Sequence, residues 1–162
     1  MTGQTMPWEN LDISEKAAIA ALARLDASWA TLVSTLAGIP EDRLDEPGVC
    51  GDWSISDLLG HIAFWDRYSL DRGRDSLENR AFESVPWEEM NDRDIAARSG
   101  RSAAENRADM ESAHREMLAF VAAAPQDPGT LLPMLKRMGM DTDEHYDEHA
   151  AEIRAWREQQ GI

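Results

Sequence analysis

Close to the C-terminus, the stretch DEHYDEHAAEIRAW carries His145 and His149, two of only four histidines in the chain. On an α-helix a four-residue step separates two side chains by about 40° of rotation and about 6 Å of axis. Two imidazoles so placed can chelate one ion, as in the His-x-x-x-His pairs of zinc enzymes. The spacing alone also fits two solvated histidines on an acidic helix. Direction adds information. Trp156 falls between the two histidines on the same wheel, and Ile153 lies about 40° beyond His149. Asp143, Glu144, Asp147 and Glu148 point mostly elsewhere. The pair therefore occupies the stripe that a helix buries, and buried neutral imidazoles need hydrogen-bond partners or a metal.

His61 is the candidate third ligand. It follows Leu58 by three residues and precedes Trp65 by four, which puts it on the apolar face of another helix. A lone histidine there reads equally as a satisfied core residue. Taken with His145 and His149, it gives three imidazoles on inward faces of two helices, and bundle cores are where such sites are built. Three neutral imidazoles leave a tetrahedral ion one open position, the arrangement of a catalytic site. Such an ion acidifies water or a thiol. Zinc and nickel both suit imidazole. Carboxylates usually orient ligating histidines; Glu152, three residues after His149, and Asp57, one turn before His61, lie on suitable faces. Asp57 also reads as part of a helix cap, and Glu152 as a surface residue.

The elements that must carry these residues are helices. Leu22, Leu25, Trp29, Leu32 and Leu36 recur at steps of 3, 4, 3 and 4 over roughly residues 13–37, a bundle seam ended by Gly38 and Pro40. A polar, turn-rich connection including EPGVCGDW follows. Ser54 with Asp57 resembles a capping box and starts a second helix with Leu58, His61, Ile62, Trp65 and Tyr68 on one broad face. Residues 72–100 are charged and irregular, with a short helix at about 86–98. That is long for a bundle connection and suggests a lid or crossover. Ser102-x-x-Glu105 caps a third helix with the stripe Met110, Ala113, Met117, Phe120 and Ala124. APQDPG breaks it, a short turn spans residues 130–138, and Thr142 is the expected N-cap of the fourth helix. Residues 1–162 read as one all-α domain, a four-helix bundle with an elaborated connection between its second and third helices.

GDWSISDLLGHIAFWD resembles the second-helix signature of the DinB/YfiT-like metalloenzyme superfamily, through Trp53, Ser54, Asp57, His61 and Trp65. HYDEHAAEIRAW resembles its C-terminal signature, with His145 and His149 spaced as there. The resemblance spans the first, second and fourth helices. It implies an up-up-down-down bundle, often dimeric, that binds a divalent metal through three histidines. Members include transferases and isomerases that use mycothiol, bacillithiol or glutathione. In the mycothiol-dependent maleylpyruvate isomerase branch the first ligand of the last helix is typically a glutamate, where this chain has His145.

Composition narrows the partners. With 16 basic and 31 acidic residues, the chain carries −15 at neutral pH. Such a field repels phosphate backbones, and no basic patch with interleaved aromatics stands out, so nucleic acid is not expected. No apolar run reaches bilayer length, and MTGQTMPWENLD lacks the regions of a signal peptide, which points to a cytoplasmic protein without membrane partners. One cysteine excludes an intramolecular disulfide framework. Cys50 sits beside acidic residues that would raise its pKa, and reads as incidental. His114 reads as packing or exposed. Met134, Met138 and Met140 read as core or pocket wall, and Trp65 and Trp156 as core or cavity lining. The expected function is a metal-dependent S-transferase with a low-molecular-weight thiol, or a small-molecule hydrolase. The alternatives are metal or small-molecule sequestration without turnover, and a structural bundle with merely buried histidines.

Overall fold

The computed structural model describes residues 12–81, 83–139 and 141–162. Among them are six α-helices and one two-stranded hairpin. Helix α1 (Ile13–Leu36) is opened by a capping box, in which Asp12 accepts from the Glu15 amide and Glu15 from the Asp12 amide, each at 2.8 Å. Helix α2 (Ile55–Leu77) and helix α4 (Ala103–Ala123) start at the capping boxes read from the sequence, Ser54 with Asp57 and Ser102 with Glu105. Helix α3 (Trp87–Ala97) is the short helix expected near residues 86–98. Helix α6 (Asp143–Gln160) follows Thr142, but the Thr142 hydroxyl donates backwards to the Met138 carbonyl and caps nothing.

Two stretches differ from the sequence reading. Residues 72–77 continue α2 rather than opening an irregular connection. Their charges are compatible with a helix because they pair along it, as Arg74 does with Asp71 at 2.8 Å. Residues 128–139 form a helix of 12 residues, α5 (Pro128–Gly139), where a short turn is expected. Pro128 stands at its first position, which needs no N–H, and Asp127 accepts from the Thr130 amide. Pro133 in its interior removes one backbone bond. Burial of Leu131, Met134, Leu135 and Met138 on one face offsets that loss.

α1 packs against α6 and α5, and α2 against α4 and α5. The shared core holds Leu25, Leu32 and Leu36 from α1 and Leu58, Leu59 and Ile62 from α2. Met110, Ala113 and Met117 join it from α4, Met134 and Met138 from α5, and Ile153 from α6. Leu22, Trp29 and Phe120, read as members of the apolar stripes, are only partly buried against this core. Met140 and the N-terminal MTGQTMPWENL lie outside the described residues. No helix among the described residues is long and apolar enough to cross a membrane.

The hairpin joins β1 (Pro47–Cys50) to β2 (Trp53–Ser54), with Cys50 opposite Trp53. Its tight turn uses Gly51 at a φ of +57°, a conformation that glycine adopts without a Cβ clash. The hairpin leads directly into the cap of α2, and β1 also touches α6. It therefore lies beside both helices that carry the histidine candidates.

Candidate metal centre and its cavity

α2 presents His61 and α6 presents His145 and His149 toward one another. The Nε2 of His145 lies 2.9 Å from that of His61 and 2.8 Å from that of His149. The three residues form the one histidine, cysteine and carboxylate cluster with metal-ligand spacing among the described residues. His149 donates from Nδ1 to Glu152 Oε2 at 2.7 Å, which leaves its Nε2 as a lone pair. His145 has one Nε2 facing two neighbours, and a single N–H there could satisfy only one of them. An Nε2–H on His145 would leave the other neighbour without a donor directed at it, and a bare Nε2 would set its lone pair against that of His149. A cation at the convergence point removes that conflict, so the donor set fits a metal. The Nδ1 atoms of His61 and His145 are buried and meet no protein partner among the described residues.

Electrostatics favours the neutral, ligating form. Burial, then the neighbouring His149 and Arg98, lowers the His61 pKa to about 3. Burial first, then His149 and His61, holds His145 well below the usual imidazole range. For Glu152, burial pushes upward, but the contacts with His149 and Cys50 prevail and lower its pKa.

Around this point lies a cavity of about 620 Å³. Trp53 and Trp65 form walls, and the Trp53 ring stands edge-on to His61 with centroids 4.9 Å apart. Ser84, Val85, Trp87 and Asn91 contribute from the segment before α3 and from α3 itself. The Trp65 indole donates to Asn91 Oδ1 at 2.8 Å, tying α3 to α2. The stretch read as a lid or crossover thus borders the cavity.

The other candidates sort clearly. Asp57 is a capping residue: its Oδ2 accepts from the Ser54 amide and hydroxyl at 2.9 and 2.7 Å. Glu152 touches His149, the first of the two readings its position allowed. Trp65 lines the cavity, whereas Trp156 is core. Met134 and Met138 are core. Cys50, read as incidental, stands on the cavity wall. Burial, with Glu152 and Glu148 nearby, pushes its thiol up to about 11. The direction of its shift agrees with the sequence reading, but the cause is burial and two carboxylates of α6 rather than the adjacent acidic residues.

His114 is packed, and it belongs to a buried chain that sequence reading missed. Its ring stacks on Trp29 with centroids 3.6 Å apart and planes within 5°. His114 Nδ1 lies 3.0 Å from the Tyr146 hydroxyl, which donates to Asp66 Oδ1 at 2.6 Å. Asp66 is fully buried, and burial pushes its carboxyl well up despite the Tyr146 bond. A signal existed, since Asp66 follows Ile62 by four residues and Leu59 by seven and so shares their apolar face. The chain links α4, α6 and α2 through Tyr146, immediately after His145. Tyr146→Phe strands two buried polar partners and is expected to cost about 1–3 kcal/mol. Urea unfolding of the variant beside wild type measures it, and coincident curves would show that the chain contributes nothing.

A helical domain with three histidines converging under an aromatic cavity defines a class of domain with a candidate metal centre. Comparison with known proteins places it more closely. The model of the mycothiol maleylpyruvate isomerase N-terminal domain matches residues 25–152, and the chain belongs to that family. Two solved structures share the fold. One is an uncharacterised protein from Escherichia coli UTI89, with a TM-score of 0.73 at 16% identity, covering 90% of this chain and 95% of that one. The other is described as Sibling Lethal Factor Precursor, DfsB, with a TM-score of 0.69 at 16% identity, covering 88% and 96%. No curated protein matches the sequence.

Proposed function

We propose that the chain is a divalent-metal-dependent enzyme, a thiol-cofactor S-transferase or a small-molecule hydrolase, with His61, His145 and His149 as its metal ligands. The observation that carries this reading is the convergence of three Nε2 atoms beside a cavity of about 620 Å³, a volume ordinary for small-molecule sites. Zinc or nickel suits the donor set. Once bound, the ion supplies electrophilic activation of a water or a thiol. The chain's own residues do the rest. Glu152 fixes the His149 ring and keeps its Nε2 unprotonated, and Trp53 and Trp65 exclude water and hold an apolar body. The reading also comprises a single up-up-down-down four-helix domain, with α1, α2, α4 and α6 as its main helices. It further comprises a homodimer and a cytoplasmic location.

Metal analysis of the purified protein, followed by a conjugation and hydrolysis assay, tests the reading. Mycothiol, bacillithiol and glutathione are each offered with a panel of electrophiles and esters. Bound metal with turnover supports it. Bound metal without turnover leaves a sequestration protein, and no metal leaves a structural bundle. Within this reading Glu152→Gln keeps the shape but weakens the acceptor for His149. Competition against a chelating dye is expected to show metal affinity lowered about 10–100-fold. Unchanged affinity would reduce Glu152 to a surface residue.

A further inference from the structure

We infer that α3 is a lid on the cavity, turning on an anchor at Arg98, latched by Asn91 and laying Trp87 on a bound apolar molecule. The inference goes beyond the metal reading and does not depend on it. Trp87, Asn91, Asp94 and Arg98 recur at steps of 4, 3 and 4, so they share one face of the helix and its C-cap. That face is held unevenly. At its C-terminal end the Arg98 guanidinium donates to Asp94 Oδ1 at 2.8 Å and to Asp109 Oδ2 of α4 at 2.7 Å. Asp109 Oδ1 in turn meets Arg67 of α2 at 2.8 Å. Arg98 also lies against α2 at Gly60, where a Cβ would stand 2.6 Å from the Arg98 Cδ. Any side chain at position 60 would push the anchor away, so this close approach needs glycine.

The N-terminal end is held by much less. Asp94 is the one buried residue of α3. Among the described residues, a single side-chain hydrogen bond ties the first two turns to the rest of the fold, from Trp65 Nε1 to Asn91 Oδ1 at 2.8 Å. Trp87, one turn before Asn91, lines the cavity and is nonetheless 57% exposed. A segment that buries little apolar surface opens at low free energy while its anchored end stays in place. Trp87 and Arg98 are eleven residues apart, about 16 Å of helix axis, so a turn of about 15° at the anchor carries the indole about 4 Å. A turn toward the cavity buries that indole against an apolar body lying between Trp53 and Trp65, and the burial drives closure. An empty cavity offers no such surface, so there the Trp65–Asn91 bond holds the lid.

The test is hydrogen–deuterium exchange of the full chain, with and without added zinc, alone and with 2-naphthalenemethanol as a neutral, flat, apolar probe. In the free chain the amides of residues 90–93 are expected to exchange at least about tenfold faster than those of 96–98 and of mid-α2. Asn91→Leu removes the acceptor of the latch and should speed 90–93 by about threefold or more, with α2 and α4 unchanged. Trp65→Phe removes the donor and should do the same, which keeps the test intact if either variant folds poorly. The probe should slow 90–93 toward the rate of 96–98. Trp87→Ala should bind the probe about tenfold more weakly by calorimetry and lose that protection. Residues 90–93 that exchange as slowly as α2 would overturn the inference. So would latch variants without effect, or with an effect spread over every helix. Absence of protection by the probe, or equal protection in Trp87→Ala, would overturn it too. The expected pattern in a chain that binds no zinc would keep the lid and sink the metal reading, and zinc bound without the pattern would do the reverse.

Discussion

Replacing His61, His145 or His149 by alanine is expected to lower bound divalent metal from about one ion per chain to background, while His114→Ala retains it. Each of the first three removes one of three converging Nε2 atoms. His114 instead faces Tyr146 and Trp29 in the core. Elemental analysis of the four variants measures the effect. Equal metal in all four would place the site elsewhere, and loss of metal with full activity would make the ion structural. Acid should release the ion as well, because a protonated imidazole cannot ligate. The direction follows from the lowered pKa values of His61 and His145, whose neutral forms are favoured by the fold. Protons therefore compete for these ligands only as the pH falls below the usual imidazole value of about 6.5. Release centred above that value would contradict the assignment.

Leu32→Pro is expected to give the largest loss of stability. Leu32 is 0% exposed in the interior of α1, the helix that packs against α5 and α6. Proline there removes a backbone hydrogen bond and drives its ring into the preceding turn, a cost of about 3 kcal/mol or more before lost packing is counted. Against a typical domain stability of about 5–15 kcal/mol, that is a large share. For a chain of this size it corresponds to a fall in melting temperature of roughly 6–12 °C. Circular dichroism on heating reads it directly. A variant that melts with wild type would mean that α1 is not a packed helix.

The sequence by itself determined what depends on neighbours within a few turns of the chain. The caps at Ser54 and Ser102, the seam through Leu25, Leu32 and Leu36, and the inward direction of His61, His145 and His149 all rest on spacings of three and four residues. These are fixed by helix geometry wherever the helix is placed. Their shared inward direction grouped His61 with the other two, and the family resemblance supported that grouping. The all-helical class and the three candidate ligands were therefore readable.

Tertiary structure decided what depends on burial by distant elements. Pro133 and Gly129 signal a break, yet α5 forms because α1 and α2 bury its apolar face, and no local propensity records that gain. The hairpin has strands of four and two residues, too short to show alternation, and it matters only through where it sets Cys50 and Trp53. Asp66 on an apolar face looks like a local fault until Tyr146, 80 residues further on, supplies its hydrogen bond. Asn91 reads as one polar residue among many until Trp65 and the cavity are set beside it. Helix periodicity specifies which way a side chain points, but what it meets there is settled only when another element arrives to exclude water and supply the partner.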